Sequence, residues 1–300
     1  MSARFLVAPL LSIALALFAA WCTTGSRARR GVGVLVGLAA LLPPWLLPAE
    51  PVLLRAVCAL VAFTYVMRVA DLARMTAPFP PRLFHVASVV DSRRLVRSSP
   101  RVEWRALAQL AGWAALLSLG VLGILASAHH VGLLHWLIRW TGGVIAAYAA
   151  VASIYVVLFF AYRALGFVPP VLHDAPIRSL SVQELCGERW ARPISDWLGE
   201  TFFRPFARRG RALLGVLLAF SVSAAFHAYG VWVGLGFRTG ATMAAMTLAY
   251  FVAQAVIMAF ERVLKVRRWP KARARAWTVV WMLSLAPLFV EPLIRVTGLP

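Results

Sequence analysis

Acid is scarce in this chain. Asp and Glu number 11 against 31 Lys and Arg in 300 residues, and charged residues of both signs make up only 14%. Soluble domains carry about a quarter charged residues, so this surface is too poor in charge for a globular protein in water. Cysteine is equally sparse: Cys22, Cys58 and Cys186 are scattered, with no CxxC and no Cys/His ligand spacing. That excludes a disulfide framework and a zinc site. No DxxxD pair of the kind that holds magnesium occurs in the apolar stretches, and His173-Asp174 is a lone pair with too few companions for metal chemistry. His129, His130 and His135 have no carboxylate neighbours in sequence and read as an interfacial stretch. What the chain does have is 61% hydrophobic residues and a mean hydropathy of +0.78, the composition of an integral membrane protein.

The formal net charge of +20 raises the question of nucleic acid, and the placement of the charges answers it. The cations sit in short runs beside apolar stretches, the pattern of membrane topology and of contact with anionic lipids. The run with Arg267, Arg268, Lys271, Arg273 and Arg275 is the densest; beyond lipid, it could attract the polyphosphate of coenzyme A, although it has no glycine-rich cradle.

Taking ~20 residues per crossing, the sequence predicts eight spans at approximately 4–24, 31–49, 51–70, 106–128, 142–164, 212–236, 240–261 and 276–296. The second is interrupted by Pro43 and Pro44 and is marked as kinked or partly re-entrant. The first has Arg4 ahead of it but no small-x-small cleavage site after it, and Ser26 to Arg30 forms a stop-transfer flank, so it reads as a helix and not a signal peptide. Connections 25–30, 71–105, 165–211 and 262–275 hold 24 Lys/Arg, while the other side holds Arg4, Arg139, Arg238 and Arg295. The positive-inside rule puts the basic connections in the cytoplasm and both termini outside, with Trp136 and Trp140 in an outer aromatic belt. The expectation is an all-α polytopic bundle, one domain over 1–300, in a bacterial-type inner or cytoplasmic membrane.

Chemistry concentrates between 176 and 230. Ser181-Val-Gln-Glu184 has the form of a capping box, predicting a helix from about 182 to 191. Pro193 suits the first turn of a second helix ending before Pro205, with Ile194, Trp197, Leu198 and Phe202 as an apolar stripe. By composition this is a juxtamembrane amphipathic element; its sharper reading is a lid over a catalytic or substrate-entry site. In the following span His227 has no Asp, Glu, Lys or Arg beside it from Leu213 to Phe237. An imidazole at membrane depth marks a site or a pathway, or else a hydrogen bond between helices. Ser223, four residues earlier on the same face, is placed to hold a ring nitrogen; Tyr229 reads as packing; Gly230 and Gly234 predict a close helix contact.

These residues resemble the wax-synthase branch of the membrane-bound O-acyltransferase family, in a region covering about 170–260. The segment resembles that branch's pattern in Pro176-Ile-Arg-Ser-Leu-Ser-Val-Gln-Glu184, Arg189-Trp190, Arg192-Pro193-Ile194 and Asp196-Trp197-Leu198, followed by Phe220, Ser223 and His227. It departs from the pattern at Leu185-Cys186, Ala191, Ser195, Ala224 and Ala228. The resemblance implies a bundle like that family's, transfer of an acyl chain from acyl-CoA to a lipid-like alcohol, His227 as catalytic base, and Ser223, Arg189, Trp190, Asp196 and Trp197 as supporting residues. Acyl-CoA enters as a co-substrate, and no tightly bound cofactor or metal is implied. The departures leave open a lipid-binding or transport protein of the same build without turnover.

Overall fold

The computed structural model describes residues 4–75, 78–99 and 103–300; Arg101, counted above among the cytoplasmic cations, lies outside them. Apolar runs in a bilayer must satisfy their backbone N–H and C=O groups within the segment, and this chain does so by winding into helices. In order they are α1 (Arg4–Cys22), α2 (Arg27–Ala39), α3 (Val52–Arg74), α4 (Phe79–Ala87), α5 (Trp104–Ser127), α6 (Gly132–Ala164), the short α7 (Val182–Glu184), α8 (Arg192–Leu198) and α9 (Arg204–Ala207), then α10 (Ala212–Leu235), α11 (Phe237–Leu264) and α12 (Lys271–Thr297). A two-residue antiparallel ladder joins β1 (Val96–Arg97) to β2 (Phe167–Val168). Among the described residues 7 helices are long and apolar enough to cross a membrane: α1, α3, α5, α6, α10, α11 and α12. The protein is a multi-pass helical membrane protein.

The expected second span at 31–49 is not a continuous helix. Helix α2 has 13 residues, ~20 Å of rise against a core of ~30 Å. It tightens at its end, where the N–H groups of Ala40, Leu41 and Leu42 bond three residues back, and Pro43-Pro44 then open a 3-10 turn to Leu46. Two consecutive residues without N–H cannot continue the ladder. The passage nevertheless runs beside α3, with Gly37 against the Val69 side chain and the Trp45 ring 5.8 Å from the Arg55 guanidinium. That covers about 14 residues of α3, roughly 21 Å. Its freed carbonyls find protein donors: Ser12 Oγ to Ala40 O at 3.1 Å, and the Tyr229 hydroxyl to Leu41 O. Non-helical backbone at membrane depth is tolerated where protein covers it in this way.

Helix α6 begins ten residues before its expected start at 142, so the supposed connection 129–141 shrinks to a turn and His135, Trp136 and Arg139 lie on the helix. Arg139 can do so because Glu291 of α12 accepts its Nε at 2.9 Å and its Nη2 at 3.1 Å, both partners being buried. His135 Nδ1 sits 2.8 Å from the Ser127 carbonyl across the turn.

The chain divides into two compact units. The first comprises Met1–Leu95, Phe226–Ala244 and Val296–Gly298; the second Val96–Ala225, Ala245–Arg295 and Leu299–Pro300. The first packs Ala16, Ala19 and Ala20 of α1 against Val69 and Leu72 of α3 and Val86 of α4, with a second cluster around Ala56, Val231 and Val296. In the second, α5 and α6 meet backbone to backbone at Gly120 and Gly142, where an added Cβ on Gly120 would lie 2.5 Å from Ala146 N. Ile124, Ala146, Ala286 and Val290 form one core there, and Val182, Ile257 and Met258 another.

Candidate functional site

The segment from 172 to 207 folds as two short helical passages. Ser181 caps α7, its Oγ accepting Glu184 N at 2.9 Å, and the Glu184 carboxylate reaches back to Leu180 N at 2.9 Å, one residue before the expected Ser181 N–H. Burial would raise the Glu184 pKa, but the Leu180 N–H and the Arg189 guanidinium outweigh it and hold it below the usual value. A wide turn of π geometry over Leu185–Arg189 follows and ends at Trp190, a residue short of the expected 191. The second passage does not stop before Pro205. Helix α8 widens into a second π turn over Gly199–Phe203, and α9 takes Pro205 in its first turn. The extra residue per π turn relieves the clash that a proline ring makes with the carbonyl four residues back.

One carboxylate ties this segment to the membrane helices of its unit. Buried Glu261 of α11 accepts Val182 N at 2.7 Å, Gln183 N at 3.1 Å and Trp277 Nε1 at 3.1 Å. Two of those donors are first-turn N–H groups of α7, which have no intrahelical partner. Trp197 is buried against Phe202, ring centroids 5.8 Å apart, and anchors α8. Asp196 is half-buried on the same helix. Ser195 Oγ donates to Cys186 O at 2.7 Å, which makes it a brace between the two passages. Burial, and after it the Glu261 carboxylate, push the Cys186 thiol up to about 12, so it supplies no thiolate.

Arg189 and Trp190 are positioned from both sides. Arg189 Nε donates to Glu184 at 2.6 Å and its Nη1 to Asp174 O at 3.0 Å. Trp190 lies against the His173 ring, centroids 4.3 Å apart, and Tyr148 of α6 stacks on that ring's neighbourhood at 5.9 Å and 19°. His173 Nδ1 accepts the Ala191 N–H at 3.2 Å. Burial lowers the His173 pKa to about 4. The pair dismissed in sequence as lone is therefore part of the segment: Leu172 O accepts Arg192 N, and Asp174 N donates to Arg189 O, both at 2.9 Å.

Helix α10 runs unbroken past Ser223 and His227, both half-buried and one turn apart. The division into units falls between Ala225 and Phe226, so Ser223 belongs with Arg189, Trp190, Asp196 and Trp197, and His227 with the first unit. Within the first unit the Phe226 ring meets the His227 ring edge-on at 5.0 Å and also packs on Phe63 of α3 at 5.3 Å. Gly230 and Gly234 make the expected close contact, facing Leu60 and Ala56 of α3. Tyr229 does more than pack, through its bond to Leu41 O.

The first unit also holds an ionic cluster that sequence reasoning passed over. His85 Nδ1 is 2.8 Å from Ser92 Oγ, and its Nε2 lies 3.5 Å from Asp71, which also faces Arg68, Arg74 and Arg93. Asp91 is gripped by Arg93 at 2.6 Å; burial works to raise its pKa, and the Arg93 hydrogen bonds bring it below the usual value. The available signal was spacing, since 71, 74, 82, 85, 91 and 93 gather six of the chain's ionisable groups around one helix end.

No known protein family matches the chain, nor does any curated protein. Its function rests on its own residues.

Proposed function

We propose that this protein is a membrane O-acyltransferase that moves an acyl chain from acyl-CoA to the hydroxyl of a lipid-like alcohol, with His227 as general base. The observation that carries the reading is the folded segment 176–198, held by Glu261 and carrying Arg189, Trp190, Asp196 and Trp197, followed on α10 by a half-buried histidine in an otherwise uncharged membrane helix. The order of these residues resembles the wax-synthase branch of the membrane-bound O-acyltransferases. In the reaction His227 takes the alcohol proton as the oxygen attacks the thioester carbonyl. The C–S bond then breaks, and the coenzyme A thiolate leaves with a proton. Imidazole titrates near neutrality, which suits it to both transfers. A water-poor surrounding keeps hydrolysis from competing. Wax or related esters are the products.

The test is expression in a host lacking neutral-lipid synthesis, with membranes given radiolabelled acyl-CoA and a panel of alcohols. Ester should form over many turnovers, and His227→Ala should slow it by about 10²–10⁴-fold, the usual worth of a general base. No ester above empty membranes for any alcohol would overturn the proposal.

One observation favours a second reading, a lipid-binding or transport protein without turnover: Ser195 is committed to carbonyls of Cys186 and Trp190 and so is withdrawn from chemistry. Purified protein that holds acyl-CoA stoichiometrically and releases no ester would select that reading.

A further inference from the structure

Among the described residues five arginines are buried, and four of them have acceptors. Arg68 reaches Val89 O, Arg82 reaches Thr23 and Met75 O, Arg139 reaches Glu291, and Arg163 reaches Ser98 and Glu103. Arg55 of α3 is the exception. It is only 7% exposed, yet no carboxylate, carbonyl or hydroxyl of the described residues accepts a hydrogen bond from its guanidinium. The Trp45 ring lies 5.8 Å away, at the outer limit of a cation–π contact. A cation on a membrane helix without a counter-charge is costly, and such residues mark sites.

The surroundings deepen the shortage. Arg55 is the fourth residue of α3, at the end where the helix dipole already presents positive charge. Glu50 turns its carboxylate to Val52 N at 3.3 Å and makes no ion pair with Arg55. The Trp232 ring meets Trp45 edge-on at 5.3 Å and 83°, and its own N–H is enclosed without an acceptor. All of these residues belong to the first compact unit, so one corner of it offers donors and lacks an acceptor. The guanidinium is approached at its tip: Nε is enclosed, whereas the two Nη groups, equally without an acceptor, are not. The exposed side chains beside these residues are apolar, Leu46 next to Trp45, Leu53 and Leu54 before Arg55, and Phe237 against Trp232.

We propose that Arg55 binds the phosphate of a membrane phospholipid, end-on through its two Nη groups, in the leaflet at the Glu50 end of α3. Guanidinium and phosphate form paired charge-assisted hydrogen bonds, stronger than neutral ones. Trp45 and Trp232 are the amphipathic rings that suit the headgroup level. The apolar flank selects a phosphate that carries acyl chains over a free ion, because the chains have a surface to cover. The site owes nothing to the acyl-transfer reading and stands or falls apart from it.

The experiment is native mass spectrometry of purified, delipidated full-length protein with added phosphatidylglycerol. Other basic stretches also hold lipid, so the readout is the difference between wild type and Arg55→Met. The variant should retain one lipid fewer. It should also be at least as stable as wild type without lipid, since an apolar chain replaces a buried cation that has no partner. Arg55→Lys keeps the charge but not the two coplanar donors, and should hold the extra lipid only in part. Diacylglycerol, which has the chains and no phosphate, should show no difference between the proteins. A large excess of inorganic phosphate should leave the difference in place. Equal retention of phosphatidylglycerol by wild type and Arg55→Met would overturn the proposal, as would an equal difference with diacylglycerol. Loss of the difference in inorganic phosphate would replace the lipid by a free anion. A lipid-free Arg55→Met that melts below wild type would show that Arg55 serves the fold instead.

Discussion

His173 is a half-buried imidazole that burial holds neutral. The neutrality of His173 carries a stability signature with a definite sign. Its pKa is about 4 in the folded protein and 6.5 without the fold. Between those values the unfolded chain binds a proton that the native ring refuses, so stability is full above pH 6.5 and is lost as pH falls toward 4. The groups around the ring that also carry charge or titrate are Asp174, Arg189, Arg192 and Tyr148. Comparing thermal midpoints of wild type and His173→Phe in detergent from pH 7.5 to 4.5 isolates the effect. Wild type should lose on the order of 1–2 kcal/mol relative to the variant across that window, the ring's partial exposure reducing the full effect of the shift. A difference that stays constant with pH would mean the ring takes up its proton as readily in the fold as in the unfolded chain. His227 was legible in the sequence because nothing charged lies near it along the chain. His173 was not, because what gives it meaning is Ala191 N–H, Trp190 and Tyr148, brought to it by backbone pairing of 172–174 with 189–192.

At the scale of elements, local chemistry was legible where the partners are close in sequence. Ser181 and Glu184 announced the start of α7, and Gly230 and Gly234 announced a tight helix contact. The π turns were not legible, since a one-residue widening has no composition of its own, and without them Pro205 reads as a stop. Glu261 was invisible for a different reason: its partners Val182 and Gln183 lie 79 and 78 residues away. Yet no other carboxylate occurs between Glu200 and Glu291, so an acid this isolated needed a purpose. Glu261→Ala should leave the α7 N–H groups and Trp277 without an acceptor and release the segment, at a cost of about 1–3 kcal/mol for each buried donor left unpaired. Limited trypsin digestion should then cut at Arg178 and Arg189 at least tenfold faster than in wild type, by the usual conversion of 1.4 kcal/mol per tenfold. Glu261→Gln, which keeps one carbonyl acceptor, should fall between. Equal cutting of Glu261→Ala and wild type would show that the anchor is dispensable.

For the whole molecule, composition alone established a helical membrane protein, and hydropathy located seven of the crossings. The eighth separated from its expected form because hydropathy counts apolar side chains and cannot register Pro43-Pro44 breaking the ladder beneath them. Topology follows from whether that broken passage still traverses. Beside α3 it runs from Val69 to Arg55, so Ser26 and Val89 should face one side of the membrane and Glu50 the other. In a background lacking Cys22, Cys58 and Cys186, Ser26→Cys and Val89→Cys should react with an impermeant maleimide only from the cytoplasmic face, and Glu50→Cys only from outside. Ser26→Cys and Val89→Cys labelled from opposite faces would make the passage re-entrant.

The carbonyl of Leu41 has a consequence for the order in which the protein can be built. Its donor, the Tyr229 hydroxyl, lies 188 residues downstream. A nascent chain emerging at about 5–20 residues per second would wait some ten to forty seconds for it. During that interval the stretch after α2 is too short in helix to lodge in lipid unaided and carries an exposed peptide group. Until α10 arrives, water or another donor has to meet the Leu41 carbonyl, so this passage gains its native hydrogen bond only once the C-terminal half has been made.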